Sequence, residues 1–100
     1  MEQALIITIP LGVKEFEFDE RCCKELESTL TRAVEASGSG EYDGNEFGEG
    51  VCKLFLYGRS ADALFRLVSP ILSSISLPPG SYATKRYGAP GSQNEKVEII

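Results

Sequence analysis

Histidine is absent from the 100 residues. Its absence removes Ser-His and Cys-His nucleophile pairs, imidazole metal ligands and the commonest general base, and with them most familiar hydrolase mechanisms. Cysteine is scarce and odd in number: Cys22, Cys23 and Cys52. The first two are neighbours in a stretch of helical periodicity, where adjacent side chains point about 100° apart, so a disulfide framework is not expected. No CxxC spacing supports redox chemistry; Cys23 is expected in the helix core and Cys22 near the surface. Long apolar runs are missing too. The short one that follows Met1-Glu2-Gln3 and ends at Pro10 lacks the basic leader and the length of a signal peptide or a membrane span. A cytoplasmic chain with no membrane partner is therefore expected. The ten Lys and Arg residues form no cluster, and the net charge is −5. Such a chain repels phosphate backbones, so nucleic acid is not an expected partner. The glycine-rich stretches hold neither a phosphate-loop Lys-Ser or Lys-Thr nor a GxGxxG between strand and helix. No internal repeat or low-complexity tract is present.

What is there is an ordinary globular balance of 42% apolar and 25% charged residues. One domain over residues 1–100 is expected, and a chain of this length buries roughly two-thirds of its unfolded surface. Residues 4–9 are rich in β-branched side chains and predict a first strand covered on both faces or nearly so. Pro10 and Gly12 end it. Residues 13–18 alternate, with Lys14, Phe16 and Phe18 on one side, and read as an extended piece or as a loop whose phenylalanines cover the core. Asp19 is an N-cap candidate, and Cys23, Leu26, Leu30, Ala33 and Val34 then recur at three- and four-residue spacing. This predicts a helix ended by the Ser-Gly repeat at residues 37–40.

Residues 41–50 are polar and glycine-rich and lead into 51–58, where β-branched and aromatic residues dominate. The pair reads as a hairpin with a short edge strand first. Ser60 caps a second helical pattern through Leu64, Leu67, Val68, Ile71, Leu72 and Ile75, with Pro70 inside it predicting a kink or an early change of helix. Residues 81–88 have strand character, residues 88–91 form a turn, and residues 96–100 predict a short last strand.

The order of elements predicts an α+β domain of the ferredoxin-like split βαβ kind, β-α-β-β-α-β plus a short C-terminal strand. Its antiparallel sheet would carry both helices on one face, with the first and third strands central. Phe55 and Tyr57 then fall on the open face of a central strand, where exposed aromatics signal a partner, a second subunit or a covering loop. The segments at residues 42–48, 54–58, 61–65 and 85–88 resemble a small bacterial family with this kind of domain. The resemblance implies the fold and a cytoplasmic setting, and no catalytic residues.

Two clusters are candidate sites. Glu41, Asp43 and Asn45 stand at alternate positions, on one side of an extended strand, with Glu46 and Glu49 nearby. Oxygen ligands so spaced can hold Ca²⁺ or Mg²⁺, but an EF-hand would need glycine at Glu46 and a carboxylate at Cys52. The plainer reading is a solvated edge whose charges discourage sheet-to-sheet aggregation. Arg59, Lys85 and Arg86 form the second cluster, for anions or salt bridges. Lys85 and Arg86 point to opposite faces of a strand, so at most one joins any single pocket, and the plainer reading pairs one with the acidic edge and leaves the other solvated. Tyr82 and Tyr87 read as packing residues with a wet hydroxyl. The aromatics of residues 51–58 resemble an RNA-stacking platform, but the basic-Gly-aromatic signature is missing and the charge is of the wrong sign.

No catalytic residue, metal or cofactor is assigned. The expected function is a non-enzymatic interaction or regulatory module, with a protein partner or self-association through the open face and the acidic edge. The alternative is a sensor of a small ligand or divalent cation.

Overall fold

A computed structural model describes residues 2–99. The elements are β1 (Gln3–Pro10), α1 (Glu20–Ser37), β2 (Gly40–Gly48), β3 (Val51–Gly58), α2 (Ala61–Ser73), β4 (Tyr82–Arg86) and β5 (Asn94–Glu98). One five-stranded sheet runs β2-β3-β1-β4-β5, and every neighbouring pair is antiparallel. The first and third strands are interior, in line with their being the most apolar.

Both helices begin on side chains that satisfy free backbone N–H groups. The Asp19 carboxylate accepts from the Cys22 N–H at 3.1 Å, and the Ser60 hydroxyl accepts from the Ala63 N–H at 3.0 Å. At its far end α1 closes on Gly38, whose φ of 68° suits glycine and lets its N–H reach the Val34 carbonyl. Replacing Ser60 by alanine strands one donor in α2, since Gln3 already serves the Ala61 N–H at 2.8 Å. The expected loss is about 1 kcal/mol, a fall of about 4–8 °C in the melting temperature read by circular dichroism.

The helices bury one stripe each, Cys23, Leu26, Leu30 and Val34 on α1 and Ala61, Leu64, Val68 and Leu72 on α2. These meet Leu5, Ile7, Ile9, Cys52, Leu54, Leu56 and Ala83 from one face of the sheet to make the core. Within it the Cys23 thiol, beside Cys52 and buried, is held far above its usual pKa. It stays protonated and acts as packing.

Three expectations need correction or completion. Helix α2 stays α-helical through Pro70 to Ser73. The proline is exposed, the carbonyl it leaves free belongs to exposed Arg66, and buried Val68 and Leu72 hold the helix down on either side. Residues 13–18 are a loop, with the Phe16 N–H turning back to the Val13 carbonyl at 3.0 Å and Phe18 entering the core. The last strand starts earlier than residue 96, because the Tyr87 N–H donates to the Gln93 carbonyl at 3.0 Å and Asn94 pairs with Arg86. Ile100 lies outside the described residues.

Candidate functional site

Alternation along the strands assigns every sheet residue to one of two faces. Opposite the helices, three rows cross the sheet in register. The first runs Glu41, Tyr57, Ala4, Arg86, Asn94; the second Gly44, Phe55, Ile6, Thr84, Lys96; the third Glu46, Lys53, Thr8, Tyr82, Glu98. None of the larger apolar side chains here, Ile6, Phe55, Tyr57 and Tyr82, belongs to the core or packs against it. They are half-buried, and two of the rings, Tyr57 and Tyr82, lie beneath cations of other strands. Small residues at the centre allow this. Ala4 is 0% exposed and lies between Tyr57 and Arg86, whose guanidinium carbon stands 5.9 Å from the tyrosine ring centroid. The Arg86 Nε also donates to the Gly88 carbonyl at 2.9 Å, so the cation is held over the sheet. Across the face, the Lys96 Nζ lies 4.3 Å from the Tyr82 ring centroid.

The acidic edge does not form as its spacing suggests. A bulge shifts the register of β2 between Tyr42 and Gly44, where the Gly44 φ is 144°. One extra residue reverses the alternation downstream. Glu41 and Glu46 therefore lie on the open face, while Asn45 pairs with Leu54 on the helix face and its amide donates to Glu27 of α1 at 2.7 Å. Asp43 stands in the bulge and, with Gly44, Asn45, Glu46, Phe55 and Tyr57, lines a shallow depression of about 400 Å³. Glu41, Asp43, Asn45 and Glu46 are thus divided between two faces. Among the described residues no three His, Cys, Asp or Glu side chains are grouped as a cation site requires. The Asn45–Glu27 bond also shapes the environment of Tyr42. Its hydroxyl oxygen is buried beside both side chains without a well-formed hydrogen bond, and burial, with the Glu27 carboxylate, pushes its pKa well above the usual phenol range.

The three cations of the second cluster go separate ways. Arg59 is exposed at the corner between β3 and α2, in a cleft of about 530 Å³ with Glu2 and a run of small residues. Arg86 is on the open face. Lys85 is on the helix face, 3.1 Å from Asp62 and 3.5 Å from Glu95, with the Phe65 ring beneath it at 4.9 Å. Its partners are therefore on α2 and β5 and not on the acidic edge. The Tyr87 hydroxyl completes the network by donating to Asp62 at 2.9 Å. Lys85, and then Tyr87, hold the Asp62 carboxyl below its ordinary pKa; Asp62 in turn raises both of theirs.

The network ties α2 to β4 and β5, and its signs are checkable. A lowered carboxyl pKa adds stability that is present above the unfolded value, about 3.9. That stability is lost as pH falls through the lower folded value. The raised Lys85 and Tyr87 add stability that is present below about 10 and lost as pH rises through their folded values. Asp62→Asn is thus expected to lower the melting temperature most near neutral pH, with the gap to wild type closing in acid. A gap independent of pH would contradict the network.

The sequence does not single out Ile6, Thr84 or Lys96, which share the open face with Lys53, Phe55 and Tyr57. The signal that finds them is register, since each pairs across from a residue already placed. No family model, curated protein or solved structure matches this chain. No helix among the described residues is long and apolar enough to cross a membrane.

Proposed function

We propose that this domain is a non-enzymatic protein-interaction module that works through the open face of its sheet, with the acidic β2 edge bordering the contact. The observation that carries this reading is the separation of two apolar sets on the central strands. Leu54 and Leu56 are fully buried in the core, whereas Phe55, Tyr57 and Ile6 face away from it, on the side of the sheet opposite both helices among the described residues. Aromatic side chains ringed by charge and set on a rigid central strand have the composition of a contact surface, apolar at the middle and polar at the rim. Rigidity helps, because little ordering entropy is lost on binding.

The strand order supports a ferredoxin-like fold extended by β5 at the β4 edge. The similarity of four segments to a bacterial family with that domain is proposed on the same footing. Three free cysteines, two of them buried, favour a reducing compartment such as the cytoplasm.

A photo-reactive side chain at Tyr57 tests the interaction reading, with one at exposed Glu35 on α1 as control. The Tyr57 probe is expected to give a discrete cross-linked protein species, identified by mass spectrometry, that the Glu35 probe does not give. Absence of any product at Tyr57, from purified chain and cell extract alike, contradicts the reading.

A further inference from the structure

The open face is charged unevenly. Its β2 edge holds Glu41, Asp43 and Glu46, while Arg86 and Lys96 stand on the far side of β1. Counting Lys53 and Glu98, four carboxylates oppose three cations, which leaves this face at −1 of the chain's −5. Among the described residues none of these seven side chains makes an ion pair, since both salt bridges belong to Lys85. A face nearly neutral in total, yet acidic at one edge and basic towards the other, is complementary to itself.

Resting on the reading of the open face as an interface, we infer that its occupant is a second copy of this chain. The two sheets pack face to face about a two-fold axis that runs parallel to the strands over β1. That rotation exchanges the two edges of the sheet. In the first row Tyr57 comes opposite Arg86 of the partner subunit, and in the second Asp43 comes opposite Lys96 of the partner subunit. Ile6 meets the partner subunit's Ile6 at the axis, an apolar contact at the centre of the patch. Glu46 falls opposite Glu98 of the partner subunit, the one like-charged pair, with Lys53 beside both. An axis perpendicular to the strands is disfavoured. It would stack the Asp43 edge on its own copy and Lys96 on Lys96, where like charges repel.

Five strands about 4.8 Å apart make a face about 20 Å on a side. This is the scale of a small, reversible homodimer rather than of an obligate one.

Sedimentation equilibrium of the purified chain is expected to show a monomer–dimer equilibrium that shifts to monomer as salt rises, because screening weakens complementary charges. The pairs Glu41→Lys with Asp43→Lys, and Arg86→Glu with Lys96→Glu, are each expected to weaken self-association at least tenfold. Their equimolar mixture should restore a dimer containing one of each. Circular dichroism confirms that the variants fold. The unaltered chain gives an independent readout: carbodiimide treatment of a mixture of isotope-labelled and unlabelled protein should join Asp43 or Glu41 of one chain to Lys96 of another. A monomer at every concentration overturns the inference, as does a dimer that neither reversal weakens. If the chain is monomeric while the Tyr57 probe still captures another protein, the second-copy inference fails alone. The open-face reading fails separately, when that probe captures nothing.

Discussion

Gly58→Ala is expected to destabilise the fold by about 3 kcal/mol, a fall of about 12–24 °C in the melting temperature. Gly58 pairs with Gly40 where β3 leaves the sheet for α2. A Cβ on Gly58 would run into the backbone carbonyl oxygen of Ser39 and touch the Leu64 side chain at 3.4 Å, and one on Gly40 would run into the carbonyl oxygen of Tyr57. Backbone atoms cannot rotate aside as a side chain end can. The strands would have to part at the point where Ser60 caps α2, so Gly40→Ala should behave like Gly58→Ala. Gly48, in the same hairpin, is the control. A Cβ there meets nothing within 4 Å, and its alanine variant should stay within about 0.5 kcal/mol of wild type. Equal effects at positions 48 and 58, read by urea unfolding, would contradict the close approach.

Leu54→Ala is expected to cost about 2–5 kcal/mol, and Phe55→Ala, one residue along the same strand, no more than about 1.5 kcal/mol in the monomer. Leu54 is 0% exposed between the sheet and both helices, so truncation leaves a cavity that the surrounding elements fill only in part. Phe55 is larger but only half-buried, and part of its site is already open to water. The order would reverse in a binding assay. Phe55→Ala should weaken association strongly, while Leu54→Ala, at a temperature where it remains folded, should leave association unchanged. A greater loss of monomer stability at Phe55 than at Leu54 would mean that the faces are assigned the wrong way round.

Much of this fold is legible in the residues because several signals agree. Asp19 and Ser60 mark helix starts by chemistry, the stripes from Cys23 to Val34 and from Leu64 to Leu72 give the buried sides, and Val51–Gly58 reads as a strand by composition. The turn after β2 is legible in kind, though Glu49 and Gly50, with φ of 53° and 76°, carry it as a two-residue turn that positive φ at both positions requires. The acidic edge is not legible. Equal spacing of Glu41, Asp43 and Asn45 implies one face only in an unbroken strand, and the extra residue at Asp43 is tolerated because Gly44 adopts a φ that other residues avoid. At Pro70 the helix does not change type before Ser73, and the burial of Val68 and Leu72 on either side offsets the local cost of the proline. Lys85 and Arg86 are correctly assigned to opposite faces by alternation alone. Their partners, Asp62 and Tyr57, depend on which strands lie side by side, and only the tertiary arrangement supplies that.

The most direct measurement on the open face is an isotope-filtered NMR experiment on a mixture of labelled and unlabelled chain. Transfer between the Ile6 methyl groups of two protomers, and from Tyr57 of one to Arg86 of the other, is the predicted result. Intermolecular transfer confined to the helices or to the outer edges of β2 and β5, with none at Ile6 or Tyr57, would contradict the account.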